Sequence, residues 1–323
     1  MNRFELVRAQ TTAQARDLAA EKPGSVLKAG GIDVLDHLKE HLIEPPRLVD
    51  LKTIPGLAQI SVDKDGTLKI GALATLAQVA GHAAVRASHP ALARACGEAA
   101  SPQVRNVATI GGNLLQRPRC WYYRLESYKC LKKGGDVCFA IAGENRYHVI
   151  FGGGPAFAPH PSSAAVPLVA YGASFVLDGP KGGRVVPAAD FFLLPAQDPT
   201  RENVLEPGEL LKEIRVPSAA GWKSAYYEVR ERAAFDWPLV SAAIALKVSG
   251  GVVRDARVVL GQVATIPWRS AAAEKALVGQ AVGATSAEAA GKAAVEGAQP
   301  MSDNGYKVDL TATLVRRTVA SLA

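Results

Sequence analysis

Val26-Leu27-Lys28-Ala29-Gly30-Gly31-Ile32-Asp33-Val34-Leu35 is the stretch on which the reading of this chain turns. A short apolar strand runs into a glycine pair. Val34, Leu35, Leu38 and Leu42 then share one face of a helix that stops before Pro45-Pro46. A strand–glycine–helix junction gathers backbone N–H groups and the positive helix end at one point, which suits a phosphate. The plainer alternative is a βα turn in which glycine serves only a positive φ. The stretch lacks the G-x-G-x-x-G fingerprint, so a Rossmann NAD site is not supported.

Outward from this junction the first half alternates helix and strand. Residues 11–21 read as a helix, residues 47–51 and 68–70 as strands, and Ile54-Pro55-Gly56 as a turn. A subdomain boundary falls near residues 53–59. Residues 76–84 and 90–100 read as helices, then 164–170 as a helix and 173–177 and 210–216 as strands. A new pattern starts near Gly221. Three strands at 224–230, 240–248 and 252–260 suggest an antiparallel sheet, followed by Ala-rich helices at 270–278 and 286–296 and a last helix from Leu310. Between Gly112 and His148 the pattern breaks down into Pro, Gly, four Tyr, one Trp and three cysteines. An irregular stretch this long is usually functional or held by a ligand.

The 323 residues amount to roughly two domains at about 150 each. With 48% hydrophobic and 21% charged residues, wholesale disorder is excluded. No apolar run approaches the roughly 18 residues of a membrane span, so direct membrane insertion is not expected. Met1-Asn2-Arg3-Phe4-Glu5 lacks a charged-then-apolar signal pattern, which predicts a chain with no secretion address of its own. The net charge is +7, and the positive residues are scattered except in residues 117–133. There Arg117, Arg119, Arg124, Lys129, Lys132 and Lys133 face only Glu126. No nucleic-acid motif accompanies them, so an anionic cofactor or an acidic partner is the better match.

Two further motifs could carry chemistry. Ser101-Pro102-Gln103-Val104-Arg105-Asn106-Val107-Ala108-Thr109-Ile110-Gly111-Gly112-Asn113 sets amide, hydroxyl and guanidinium donors before a Gly-Gly that lets backbone approach a ligand. A polar helix-to-strand connection is the alternative. Cys120-x9-Cys130-x7-Cys138 places three thiols among basic residues that would lower their pKa. Zinc knuckles need C-x2-4-C pairs, absent here, so the wider spacing fits an iron–sulfur cluster better. Unrelated free thiols remain the bland reading. Cys96 falls in a helical pattern and reads as a buried core residue.

The two glycine loops, with Gln103-x-Arg105-Asn106-x-Ala108-Thr109-x-Gly111-Gly112-Asn113 in the second, resemble the FAD-binding subunit of the molybdenum hydroxylases, the xanthine dehydrogenase and aldehyde oxidoreductase family. Arg119-Cys120-Trp121-Tyr122-Tyr123-Arg124 and Gly143-Glu144-Asn145-Arg146-Tyr147-His148 resemble the periplasmic aldehyde oxidoreductase branch. Pro207-Gly208-Glu209-Leu210, Pro267-Trp268-Arg269 and Asp303-Asn304-x-Tyr306-Lys307 are similar as well. The likeness covers nearly the whole chain.

The resemblance implies an α+β fold: a two-lobed FAD-binding domain of vanillyl-alcohol-oxidase (PCMH) type, then a smaller C-terminal α/β domain. Residues 1–56 would form the first lobe, 57–219 the second with a Cys-rich insert at 114–150, and 220–323 the C-terminal domain. It further implies FAD held non-covalently by Leu27, Lys28, Ala29, Gly30, Gly31, Ile32, Asp33 and Val34, by Gln103, Asn106, Thr109, Gly111, Gly112 and Asn113, and by Ser163 and Leu211. In that branch the insert carries a [4Fe–4S] cluster, here on Cys120, Cys130 and Cys138. The implied role is electron transfer: a molybdenum-cofactor large subunit oxidises substrate, a [2Fe–2S] small subunit relays electrons, and this chain passes them to an external acceptor. Such a subunit is cytoplasmic, or periplasmic by export with a signal-bearing partner.

Three positions depart from the pattern. Ile32 stands where the first loop usually has Thr, Ser163 where the family has an Asp expected on the adenosine ribose, and Ala156 where the branch has its fourth cluster cysteine. The competing readings are a free-standing flavin oxidoreductase of the same fold and a scaffold subunit that has lost a cofactor. The six histidines show no carboxylate partner at informative spacing, so no catalytic residue is expected in this chain.

Overall fold

The Gly30-Gly31 turn sits at the end of an edge strand in the computed structural model, which describes residues 1–323. Strands β1 (Glu5–Arg8), β2 (Val26–Lys28) and β3 (Arg47–Asp50) make a parallel sheet in the order β1-β3-β2. Parallel neighbours need crossovers, and the helices Thr12–Ala20 and Ile32–Lys39 supply them. Thr11 starts the first helix by accepting from the Gln14 N–H. This lobe has a small core of its own, with Ala9, Ala15, Val49 and Leu51 joined by Ile54, Leu57 and Leu73. Leu57 and Leu73 belong to the chain leading into the next lobe. There Gly71 lies so close to the Leu57 carbonyl that a Cβ would meet its oxygen at 2.2 Å.

The second lobe is a five-stranded antiparallel sheet of β4 (Ile60–Val62), β5 (Leu68–Gly71), β6 (Ser174–Gly179), β7 (Gly182–Pro187) and β8 (Leu210–Val216), ordered β4-β5-β8-β6-β7. Alternate residues such as Phe175 and Leu177 point inward, the period-2 pattern of a one-sided sheet. They pack on the helices Leu76–Gly81, Ala83–Ser88, Pro90–Glu98 and Ala165–Ala170 in the largest core cluster. Cys96 is fully buried there, and burial pushes its thiol up to about 12. The expected single helix at 76–84 is two, because His82 adopts an extended conformation between them.

The C-terminal sheet contains β9 (Trp222–Val229), β10 (Val240–Ser249), β11 (Val252–Gly261) and β12 (Trp268–Arg269), antiparallel in the order β12-β11-β10-β9. β10 is buried on both faces, and residue size separates them. Ala242, Ile244 and Leu246 pack against the helices Ala271–Leu277, Ala284–Ala293 and Tyr306–Ala320. The small residues Ser241, Ala243 and Ala245 alternate with them, and Ala243 joins the core of the second lobe, as do Tyr226 and Val259. The final helix begins four residues before the expected Leu310. Strands β1, β4 and β7 had no counterpart in the sequence reading; they are short or lack buried alternation.

The insert contains only the short helices Trp121–Arg124 and Leu131–Lys133. Its last residues cross to the C-terminal domain. Ile150 and Phe151 both donate to the Val263 carbonyl, enter that domain's core, and Phe151 stacks on Trp268 at 5.2 Å. The segment placed wholly in the second lobe by sequence is therefore shared. Asn304, whose side chain donates to the carbonyls of His148 and Val149, and Lys307, which donates to those of Tyr147 and Gln262, fasten the crossing.

Candidate FAD site

A cavity of about 660 Å³ opens where the two glycine loops meet, within the range of roughly 300–1,000 Å³ typical of ligand sites. Residues from all three sheet regions line it. The loops touch directly: a Cβ on Gly30 would lie 2.2 Å from the Val107 carbonyl oxygen. Gly31 has φ +86° and caps the helix Ile32–Lys39, whose first-turn N–H groups have no partner within the helix. That end of the helix carries partial positive charge. Leu27, Lys28, Ala29, Gly30, Gly31, Ile32, Asp33 and Val34 all border the cavity, as do Thr109, Gly111, Gly112, Asn113, Ser163 and Leu211. Gln103 and Asn106 do not. They sit exposed on the helix Pro102–Arg105 and its cap, while Val104 and Ala108 turn to the cavity.

The second loop differs from its sequence reading in how it uses its donors. The N–H groups of Ile110 and Gly111 go to the carbonyls of Ala74 and Ala72, and the Gly112 N–H goes to Thr109 Oγ1. Gly111 is small because a Cβ would meet Ala72, its oxygen at 2.8 Å; the constraint comes from protein rather than ligand. Gly112 is exposed to the cavity, and a Cβ there meets only Thr109 Oγ1 at 3.0 Å. Asn113 spends its oxygen on the Ser162 hydroxyl at 2.7 Å and the Ala164 N–H, tying the segment that carries Ser163 to the loop. The first loop therefore supplies the free backbone donors, and the second supplies shape.

Asp33 contributes backbone to the cavity but turns its carboxylate to the insert. Arg124 and Arg119 reach one oxygen at 2.8 and 3.0 Å, and the Arg117 N–H donates to the other at 2.9 Å. Burial pushes this carboxyl up, yet the two guanidiniums and the amide outweigh it and hold the pKa below the usual value. One helical turn on, His37 Nε2 meets the Tyr123 hydroxyl at 2.9 Å, and its Nδ1 is 3.7 Å from Asp33. The same Nδ1 is 2.8 Å from the Asp33 carbonyl oxygen, and burial lowers the pKa of His37, so the ring is not paired as a cation with that carboxylate. On the far side Lys132 and Arg117 clamp Glu202 at 2.8 and 2.6 Å. The basic stretch is thus largely neutralised inside the protein, holding the insert to both lobes.

Cys120 differs from expectation in its protonation. Burial pushes Cys120 up to about 12, and nearby basic residues do not lower it; the Tyr123 N–H donates to the Cys120 carbonyl. Cys130 and Cys138 are close enough to act on its charge, and His148 Nε2 lies 3.2 Å from its sulfur. No group of three or more His, Cys, Asp or Glu side chains is placed to hold a single metal ion. Ala156 is buried.

A loop that the sequence reading passed over closes the cavity. Phe235, Asp236, Trp237 and Pro238, between β9 and β10, line it, and the Phe235 N–H donates to the Ala100 carbonyl. Arg119 stacks over Trp237 at 4.6 Å. The signal was present as Phe-Asp-Trp-Pro, an exposed aromatic pair beside a turn residue, but only the fold brings it to the glycine loops.

The fold and the cavity define a flavoprotein subunit of the two-lobed FAD-binding class. Residues 2–219 match the family described as the FAD binding domain in molybdopterin dehydrogenase, and residues 225–322 match the CO dehydrogenase flavoprotein C-terminal domain. The chain belongs to this family, the FAD-binding subunits of molybdenum hydroxylases, and is an oxidoreductase subunit. Among its relatives, the aldehyde oxidoreductase FAD-binding subunit PaoB of Escherichia coli is 36% identical, over 100% of this chain and 98% of that protein. The carbon monoxide dehydrogenase medium chain of Hydrogenophaga pseudoflava is 30% identical over 91% of this chain and 87% of its own. The solved carbon monoxide dehydrogenase of that organism superposes with a TM-score of 0.77 at 31% identity, covering 98% of this chain and 96% of the other.

Proposed function

We propose that this chain is the flavin subunit through which an aldehyde-oxidising molybdenum hydroxylase passes electrons outward, and that its cysteine insert adds an iron–sulfur cluster beside the flavin. A molybdenum-cofactor large subunit and a [2Fe–2S] small subunit would be its partners. The observation that carries the reading is the anchoring of the insert: Asp33 borders the FAD cavity with its backbone and binds Arg119 and Arg124, which flank Cys120, with its carboxylate. The cofactor site and the segment that carries Cys120 are therefore tied through one residue. Likeness to an aldehyde oxidoreductase subunit across the full length supports the substrate class.

FAD, when bound, would supply a carrier that takes electrons one at a time from an iron–sulfur centre and gives them up singly or as a pair. The residues of this chain hold and shield it. The N–H groups at the start of Ile32–Lys39 offer donors to the pyrophosphate, the bare Cα of Gly30 keeps the two loops in contact, and Trp237 with Phe235 limits water at the loop side. His37, at the cavity, has its ring nitrogens engaged with the Asp33 carbonyl and the Tyr123 hydroxyl, which suits a subunit that relays electrons rather than one that transforms an organic substrate.

For the cluster, Cys130 and Cys138 lie close enough to Cys120 to act on its charge, as cysteines around one multi-iron cluster would. With Ala156 in place of a fourth cysteine, a [4Fe–4S] cluster takes a non-cysteine ligand at one iron or the site holds [3Fe–4S]. Iron and sulfide analysis with EPR on the anaerobically purified full chain tests this. Three or four irons per FAD, lost in Cys130→Ser and kept in Cys96→Ser, are expected. FAD without iron in such samples would reduce the insert to a structural role and leave the flavin assignment intact.

A further inference from the structure

Five carboxylates line the cavity: Asp33, Asp36, Glu209, Glu228 and Asp236. Four are accounted for. Asp33 and Asp36 bind Arg119 and Arg124, Glu209 holds Arg184 through both oxygens at 2.7 Å, and Asp236 accepts the N–H groups of Arg232 and Trp237.

Glu228 is different. It stands two residues after Tyr226 on β9, on the same face of the strand. Its side chain is 1% exposed. The Tyr226 hydroxyl donates to Oε2 at 2.6 Å, while Oε1 is buried with no hydrogen-bond partner. Arg230 Nε lies 3.2 Å from Oε1 but outside hydrogen-bond geometry, and its Nη1 is committed to the Glu98 carbonyl. The Tyr226 hydroxyl also faces Ser163, another cavity-lining residue. A buried carboxylate oxygen bears its full desolvation cost unless a donor reaches it.

We infer that Glu228 Oε1 accepts a hydrogen bond from a sugar hydroxyl of bound FAD, with Ser163 Oγ beside it taking the adjacent hydroxyl. The chemistry selects a diol over the other donors of the cofactor. The flavin N3–H is flanked by two carbonyl oxygens and the adenine N6 amino group by the acceptors N1 and N7, which would sit close to the carboxylate and repel it. A vicinal diol offers two donors and meets an acceptor pair without that conflict. Both the ribityl chain and the adenosine ribose carry such hydroxyls, and the ligand series below separates them.

The experiment is FAD binding to the deflavinated full chain, followed by quenching of flavin fluorescence. Glu228→Gln keeps an acceptor for Tyr226 but presents an amide group where the hydroxyl needs an acceptor. Its Kd for FAD is expected to rise roughly tenfold or more, the usual penalty for losing a hydrogen bond to a charged group. FMN separates the sources: a parallel loss for FMN assigns the ribityl chain, and a loss confined to FAD assigns the ribose. Single-deoxy FAD analogues, removing each hydroxyl in turn, test the wild-type chain without any substitution. One of them is expected to bind more weakly to wild type and no more weakly than FAD to Glu228→Gln. A folded Glu228→Gln chain with unchanged Kd overturns the inference, as does a wild-type chain indifferent to every deoxy analogue.

Discussion

The bare Cα of Gly30 packs on the carbonyl of Val107, leaving 2.2 Å to the oxygen for any Cβ. This contact joins the two glycine loops across 77 residues of sequence (107 minus 30) beside the cavity that Gly30 and Ala108 line. It shows that the first loop's glycine serves protein packing as much as ligand approach.

Gly30→Ala should therefore separate the loops. The neighbour is backbone, which cannot swing aside, so a cost of about 3 kcal/mol, at the top of the usual overpacking range, is expected together with loss of FAD. Gly112→Ala meets only the Thr109 hydroxyl and should leave the apo chain nearly as stable as wild type. Thermal melts of both apo-proteins and their flavin content after purification check the pair. Equal stability of the two variants would contradict the loop contact.

Asp33→Asn should release the insert. Arg119 and Arg124 would face a neutral amide, and the charge-assisted bonds at 3.0 and 2.8 Å would weaken. Limited proteolysis is expected to cut first within residues 117–133, with the rest of the chain remaining intact. Unchanged protection there would mean that Asp36 and Tyr123 suffice.

Glu202 sits between Lys132 and Arg117, and the Lys132 and Glu202 side chains are 6% and 7% exposed. Glu202→Leu strands a buried ammonium, for which roughly 3–5 kcal/mol of destabilisation is expected. Adding Lys132→Met should recover much of it by removing the stranded charge. Urea unfolding of the single and double variants gives the answer, and a double variant no better than the single would rule out this account.

Acid should destabilise the apo chain through its buried histidines. His160 is buried and held neutral, its pKa pushed down to about 3 by burial and by Lys132, while an unfolded histidine titrates near about 6.5. Between those values the unfolded state binds the extra proton. Stability therefore falls as pH drops below about 6.5, by up to roughly 1.4 kcal/mol per pH unit for this group. His89, buried against the Pro217 carbonyl and also shifted down by burial, adds in the same direction. Melting temperatures from pH 7.5 to 4.5 should show the slope, and His160→Gln should flatten part of it.

The sequence by itself determined the local elements and the ligand class. The glycine pair at 30–31 requires a positive φ that Gly31 adopts, alternation in β10 and β11 is visible as letters, and the second glycine loop with the cysteine spacing carries the family likeness. Local geometry follows from neighbours along the chain, so local signals suffice for it. Tertiary structure decided which groups are spent and which are free. The Ile110 and Gly111 N–H groups, read as ligand donors, are taken by Ala74 and Ala72; the basic stretch, read as an anion site, is taken by Asp33, Asp36 and Glu202. Glu228 carried no signal, and Phe-Asp-Trp-Pro none that pointed to the glycine loops, because their meaning lies in facing a cavity built by residues more than a hundred positions away. Burial and pairing are properties of the packed chain, and no periodicity in the sequence encodes which donor meets which acceptor across that distance.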